Sequence, residues 1–201
     1  MKKAYEAVVI GVSAGGLNAL STIFSHLVAD FMLSVIVVQH THPDSDDFLA
    51  HHLNEVCPLR VKQTDEKESI QPGTIYIAPA NYHLLVETNK TFSLSVDEQV
   101  NYARPSIDVL FESAADAYGS RLVGMILTGA NADGSQGLKV IKEAGGLAII
   151  QDPDTAEADT MPRAAMAAAT IDHVLPLKEI SAFLNLLDVE STKLKRIKKN
   201  G

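Results

Sequence analysis

Three residues of this 201-residue chain have the types and the setting for nucleophilic hydrolysis: Ser13, His40 and Asp133. Each follows an apolar run that reads as a buried strand. Ala7-Val8-Val9-Ile10-Gly11-Val12 leads into Ser13-Ala14-Gly15-Gly16. Leu33-Ser34-Val35-Ile36-Val37-Val38-Gln39 ends at His40. Leu122 to Thr128 runs into the polar turn Gly129-Ala130-Asn131-Ala132-Asp133-Gly134. A serine hydroxyl is inert until a neighbouring imidazole takes its proton, and a carboxylate then orients the imidazole and stabilises its cation. Ligands of open α/β sheets bind beyond the carboxyl ends of the strands. Three such ends carrying this set are more specific than any one of them. The order Ser, His, Asp differs from the Ser, Asp, His of the α/β-hydrolases, so Gly11-x-Ser13-x-Gly15 does not by itself place the chain in that fold.

Taken singly, the first stretch has three readings. As a nucleophile elbow, it presents Ser13 above a strand end, with helix N–H groups behind it for a developing negative charge. As a dinucleotide loop, it is broken, because Ser13 stands where a second glycine belongs and Gln39-His40 replaces the acidic end of the next strand. As a plain turn, it does no chemistry. A rival constellation is His40-Thr41-His42-Pro43-Asp44, which fits the H-x-H-x-D opening of a metallohydrolase, with His51 and His52 nearby. Ser45 stands where that pattern wants another His, and Ser13 would then have no role.

The elements that must position these residues alternate. A helix follows Gly16, with Leu17, Leu20, Ile23, Phe24 and Leu27 on one face. A second, capped by Asp44 or Ser45, carries Phe48, Leu49, Leu53 and Val56. Strands are expected over 60–64 and 74–78, and a β-hairpin over 83–87 and 91–95 on one edge of the sheet. Ser106 caps a helix with Val109, Leu110, Ala114 and Ala117, and Gly145-Gly146 stops a helix with Leu138 and Ile141. A strand over 147–151, an alanine-rich helix over 162–169, a strand over 174–176 and a helix over 180–187 follow. The expectation is one α/β domain, 1–189: a doubly wound, mostly parallel sheet with helices on both faces and an antiparallel hairpin excursion. The basic segment 190–201, with Lys193, Lys195, Arg196, Lys198 and Lys199, reads as a disordered tail.

Composition narrows the class. A formal net charge of −8 argues against nonspecific nucleic-acid binding. The single Cys57 excludes an internal disulfide framework and fits a reducing compartment. No signal-peptide core follows Met1-Lys2-Lys3, and no apolar run approaches the ~20 residues of a membrane span. A cytoplasmic protein without membrane insertion is expected.

The ordered blocks then resemble a known family, the catalytic domain of the chemotaxis protein-glutamate methylesterases (CheB), from about Ala7 to about Leu187. The blocks are Ile10-Gly11-Val12-Ser13-Ala14-Gly15-Gly16, Val37-Val38-Gln39-His40, Ala78-Pro79 with His83-Leu84-Leu85-Val86, and Arg104-Pro105-Ser106-Ile107-Asp108-Val109-Leu110-Phe111. Leu127-Thr128-Gly129 with Asp133-Gly134, and Gln151-Asp152-Pro153 with Met161-Pro162, complete them. The resemblance implies a catalytic triad of Ser13, His40 and Asp133, the set already chosen on chemical grounds. It implies an oxyanion held by backbone N–H groups at Ala14 and Ala130, and no cofactor. It further implies hydrolysis of glutamyl methyl esters on the cytoplasmic helices of chemoreceptors, or on another methylated protein, with release of methanol, and deamidation of receptor glutamines as a related outcome. Two alternatives stand beside it: a metal-dependent hydrolase using His40, His42 and Asp44, and a receptor-binding signalling module without turnover. The chain departs from the family where Ala130-Asn131 replaces Met-Gly and where Thr41-His42-Pro43 replaces Met-Pro. The family's N-terminal receiver domain has no counterpart ahead of Lys2, so the expectation is a stand-alone version or the catalytic part of a longer chain.

Overall fold

The structure, a computed structural model, describes residues 3–199. In chain order, β1 (Ala7–Val12), α1 (Gly16–Phe24), β2 (Ser34–Gln39) and α2 (Phe48–Val56) come first. Then come β3 (Arg60–Gln63), β4 (Thr74–Ile77), β5 (His83–Val86), β6 (Phe92–Ser95) and α3 (Ile107–Tyr118). The chain continues through β7 (Leu122–Ile126), α4 (Ser135–Glu143), β8 (Leu147–Gln151), α5 (Thr160–Ala168), β9 (His173–Leu175) and α6 (Leu177–Lys199).

Seven strands form one sheet in the order β3-β4-β2-β1-β7-β8-β9, with every pair parallel. The chain winds outward from β1 through β2, then crosses to β7 on the other side of β1. That reversal beside β1 is a topological switch point, where open α/β sheets bind ligands.

The strands read as unbroken apolar runs because both faces of the sheet are covered. Val8, Ile10 and Val12 point to the layer of α1, α2 and α6, packing with Leu20, Leu53 and Leu184. Ala7 and Val9 point to the other layer, with Leu110 of α3, Leu138 of α4 and Ala165 of α5. Each fully buried Val, Ile or Leu side chain contributes about 1.5–3 kcal/mol by leaving water. Among the described residues, no helix is long and apolar enough to cross a membrane.

Three local expectations are corrected. The hairpin does not extend an edge of the main sheet. β5 and β6 form a separate two-stranded sheet that buries Leu84, Val86 and Phe92 with α3. The last helix is not confined to 180–187, and residues 190–199 are helical rather than a disordered tail, because the pattern of α6 still has inward positions there. Ser191 is buried and accepts the Tyr5 N–H at 3.0 Å, and Leu194 is half-buried. Asn200 and Gly201 lie outside the described residues. Finally, α2 starts at Phe48, whose N–H is taken by Asp46 Oδ1 at 3.1 Å, not by Asp44 or Ser45.

Candidate active site

The β1–β2 register pairs Val12 with Gln39, so Ser13 and His40 leave adjacent strands side by side. The His40 N–H donates to the Val12 carbonyl at 3.0 Å, and the Ser13 N–H donates to the Thr128 carbonyl at 2.9 Å. The Gln39 side chain fastens the pair, its Nε2 donating to the carbonyls of Ser13 (2.9 Å) and His40 (2.8 Å). The turn then closes through Gly16 N–H to the Ser13 carbonyl at 2.9 Å. Its left-handed residue is Gly15, at φ 79°. A β-carbon there would stand 2.7 Å from Glu157 Cβ, so only glycine fits. Ser13 is not among the positive-φ residues. The turn therefore differs from a strict nucleophile elbow, in which the serine itself carries the strain.

Asp133 reaches the same sheet end from the loop after β7. Its side chain is fully buried beside a His40 ring that is 13% exposed, with His40 Nε2 at 2.8 Å from Asp133 Oδ2. Oδ2 also accepts the Ile107 N–H at 2.6 Å. Oδ1 accepts from Ser106 Oγ (2.8 Å), Asn101 Nδ2 (2.8 Å) and the Asp108 N–H (3.2 Å). Burial alone would push this carboxyl up. The bonds from His40, Asn101, Ile107 and Ser106 outweigh it and hold the group below the ordinary carboxylate range. A buried carboxylate kept ionised against His40 is what a base needs as its orienter.

Ser106 is the N-cap residue of α3, as expected, but its side chain makes no cap bond. Asp133 supplies the acceptor for the first N–H groups of α3 instead. Asp108 of α3 returns the favour to α4, its Oδ1 accepting the Gly137 N–H at 2.6 Å. A β-carbon at Gly137 would lie 2.5 Å from Phe111 Cβ, so glycine lets the two helices come this close. Asn101 spans both acids, with Nδ2 at 2.7 Å from Asp108 Oδ2 as well. Burial and the nearby Asp133 charge push the Asp108 carboxyl up.

Other positioning residues were not singled out from sequence. His83 is buried, accepts the Ser106 N–H on Nδ1 at 3.2 Å and reaches the Glu98 carbonyl with Nε2 at 3.0 Å. The Thr128 hydroxyl donates to the Ala14 carbonyl at 2.8 Å and accepts the Ala158 N–H at 2.9 Å. Gln151, buried at the end of β8, accepts the Thr128 N–H at 3.0 Å. Their only sequence signal was membership of the quoted blocks or the end of a strand.

Ser13 lies between two depressions. A cleft of about 280 Å³ is lined by Ser13, His40, Asn131, Tyr102 and Arg104. An apolar groove of about 650 Å³ runs from Ser13 between α1 and α2, past Leu17, Phe48 and Leu49. Leu17 was expected on the inner face of α1, yet it is 42% exposed because it walls this groove. Ala14 and Ala130 are both exposed, and neither backbone N–H has an acceptor among the described residues. The metal constellation does not assemble. The His42 and Asp44 side chains are 76% and 91% exposed, and both ring nitrogens of His40 are within hydrogen-bond distance of Asp133 and Asn131. Among the described residues, no three His, Cys, Asp or Glu side chains converge on one point.

A doubly wound parallel sheet that brings a serine, a histidine and an aspartate to neighbouring strand ends at its switch point defines a class, the α/β domains with a polar site beyond the carboxyl ends of their strands. Comparison with known proteins is narrower. The family model for CheB methylesterase matches residues 8–184. The chain is similar to a Leptospira interrogans protein named a putative protein-glutamate methylesterase/protein-glutamine glutaminase, at 53% identity over 92% of this chain and 95% of that one. It is 41% identical to the Archaeoglobus fulgidus protein-glutamate methylesterase/protein-glutamine glutaminase over 87% of this chain, which spans 51% of that longer protein. The crystal structure of the Thermotoga maritima CheB methylesterase catalytic domain superposes with a TM-score of 0.87 at 34% identity, covering 91% of this chain and 98% of that one. The chain belongs to the CheB methylesterase family.

Proposed function

We propose that this protein is a serine-dependent protein-glutamate methylesterase whose catalytic residues are Ser13, His40 and Asp133. The observation that carries the reading is the fixed orientation of His40. Its Nε2 is held by the ionised, fully buried Asp133 at 2.8 Å, and Ser13 and His40 follow the adjacent ends of paired strands and line one cleft. Because Nε2 carries the proton shared with Asp133, Nδ1 is the nitrogen that serves as base.

Ser13 Oγ attacks the ester carbonyl while His40 Nδ1 takes its proton. The N–H groups of Ala14 and Ala130, both without protein acceptors, stabilise the oxyanion, a contribution often worth several kcal/mol. Collapse expels methanol, protonated by His40. Water, deprotonated by His40, then cleaves the acyl-enzyme and leaves a glutamate carboxylate. A glutamine side chain follows the same route with ammonia as the leaving group.

The substrate is a methylated glutamyl side chain on a chemoreceptor helix, and the enzyme works in the cytoplasm. The side chain enters the cleft beside Tyr102, and flanking apolar residues of the helix lie along the groove walled by Leu17 and Phe48. The test is methanol release from methylated receptor by the wild type and by Ser13→Ala, side by side. Release by the wild type alone is expected, and equal release by Ser13→Ala would refute the assignment.

A further inference from the structure

The loop after β7 grips His40 twice. Asp133 holds Nε2, and Asn131, two residues earlier, lies with Nδ2 at 3.3 Å from Nδ1. The sense of this second contact follows from its neighbours. Asn131 Oδ1 accepts the Asp133 backbone N–H at 3.1 Å, so the carbonyl end of the amide is taken and the NH2 end faces the imidazole. An ionised carboxylate only accepts, so Nε2 bears the ring proton and Nδ1 presents a bare lone pair. Asn131 therefore donates to Nδ1. The Ser13 hydroxyl meanwhile makes no hydrogen bond with any described residue.

Nδ1 has one lone pair in the ring plane, and the proposed mechanism needs that pair for the Ser13 proton. We propose that Asn131 is a latch on the catalytic base, occupying the His40 Nδ1 lone pair in the free protein and yielding it before Ser13 can be deprotonated. The inference rests on the reading of His40 as the base for Ser13. Asn131 is half-buried and lines the cleft that Ser13 and His40 share, so its amide turns to water, or is pushed aside by an arriving side chain, without opening the core. A protonated Nδ1 would face the Asn131 N–H donor head on, so the latch must also stay open while His40 carries the serine proton. Asn131 is a positioning residue in this scheme: it touches the base and not the reacting carbonyl.

The test uses a small alkyl fluorophosphonate on the full chain. Ser13 Oγ bonds to phosphorus, fluoride leaves, and the hydroxyl proton passes to His40 Nδ1 and then to solvent. Two variants separate the latch from the local turn. Asn131→Ala loses both bonds. Asn131→Ser keeps an oxygen that accepts the N–H two residues on, as short hydroxyl side chains do, but does not reach the ring. In both, the maximal labelling rate should rise roughly two- to tenfold, the worth of one neutral hydrogen bond, with the reagent's half-saturation concentration unchanged. A rate that is unchanged or lower in Asn131→Ser, at wild-type melting temperature, overturns the latch. If the wild type takes no label on Ser13, or Ser13→Ala labels equally, the nucleophile assignment fails and the latch fails with it. Labelling of wild-type Ser13 without acceleration in the variants removes the latch alone.

Discussion

The hydroxyl of Ser106 donates to Oδ1 of Asp133 across 2.8 Å. The N-cap serine of α3 is thus turned away from its own helix and spent on the carboxylate that holds His40. Asp133 and Asp108 exchange caps between α3 and α4, so the acid of the site is also a joint of the fold. Asp133→Asn should therefore act twice. Its amide presents N–H to donors and lets the imidazole take the wrong tautomer, for which a loss of about ten-thousand-fold in turnover is known in serine hydrolases. The melting temperature should fall as well. Asp152 caps only a short turn, accepting the Asp154 N–H at 3.0 Å. Asp152→Asn should leave turnover within a few-fold of wild type, since surface caps are worth about 1 kcal/mol. Turnover of the two variants on methylated receptor, reversed in rank, would show the triad to be misassigned.

Ser13→Ala and His40→Ala should each cost several orders of magnitude in kcat, and the double variant little more than either, because nucleophile and base act as one unit. Substrate binding should survive in all three, as neither residue is assigned ground-state affinity. Equilibrium binding of methylated receptor, set beside methanol release, checks both halves.

Stability should depend on Asp133 ionisation at acid pH. Its folded-state pKa is depressed, so its contribution is fully present above the unfolded carboxylate value of about 3.9 and is lost as pH falls through the lower folded value. Asp108, pushed up by burial, contributes in the opposite sense: its share is full below the unfolded value and declines as pH rises through the folded one. The stability difference between wild type and Asp133→Asn isolates the first. In urea titrations it should be constant near neutrality and shrink steadily once the pH drops below the ordinary carboxylate range. A difference that grows on acidification would contradict the depressed pKa.

Removal of residues 190–201 should separate activity from stability. The last turns of α6 meet the chain ahead of β1, at the opposite end of that strand from Ser13, where Ser191 takes the Tyr5 N–H in a buried contact. Leaving that N–H unpaired costs about 1–3 kcal/mol. The truncated protein should melt several degrees lower and hydrolyse ester at the wild-type rate at 25 °C. A large rise in rate would instead make the segment a brake on the site.

Chelators should leave the esterase activity intact, because the proposed chemistry runs through Ser13, with His42 and Asp44 turned to solvent. Activity abolished by chelator and restored by zinc would move the chemistry to a metal.

What could be read along the chain was what is local. Apolar runs marked the strands of the sheet, because a parallel strand covered on both faces must be apolar throughout. Glycine and polar turns marked their carboxyl ends, and chemistry picked Ser13, His40 and Asp133 from those ends. The β1–β2 register and the switch point at β1 decided that these ends are neighbours. The rest depends on groups far apart in sequence. Asn101 reaches Asp133 from an irregular segment with no periodicity to give it away. Ser106 looked like a cap, and only the packing of α3 on α4 redirected it. The reach of α6 past Leu187 was hidden by its lysines. Long charged side chains exposed on one face say nothing about whether Ser191, between them, has found a backbone N–H to bond. The identity of the acid at the site is a property of the sequence. Its ionisation, its donors and the orientation it gives His40 follow from burial and convergence, which only the folded chain supplies.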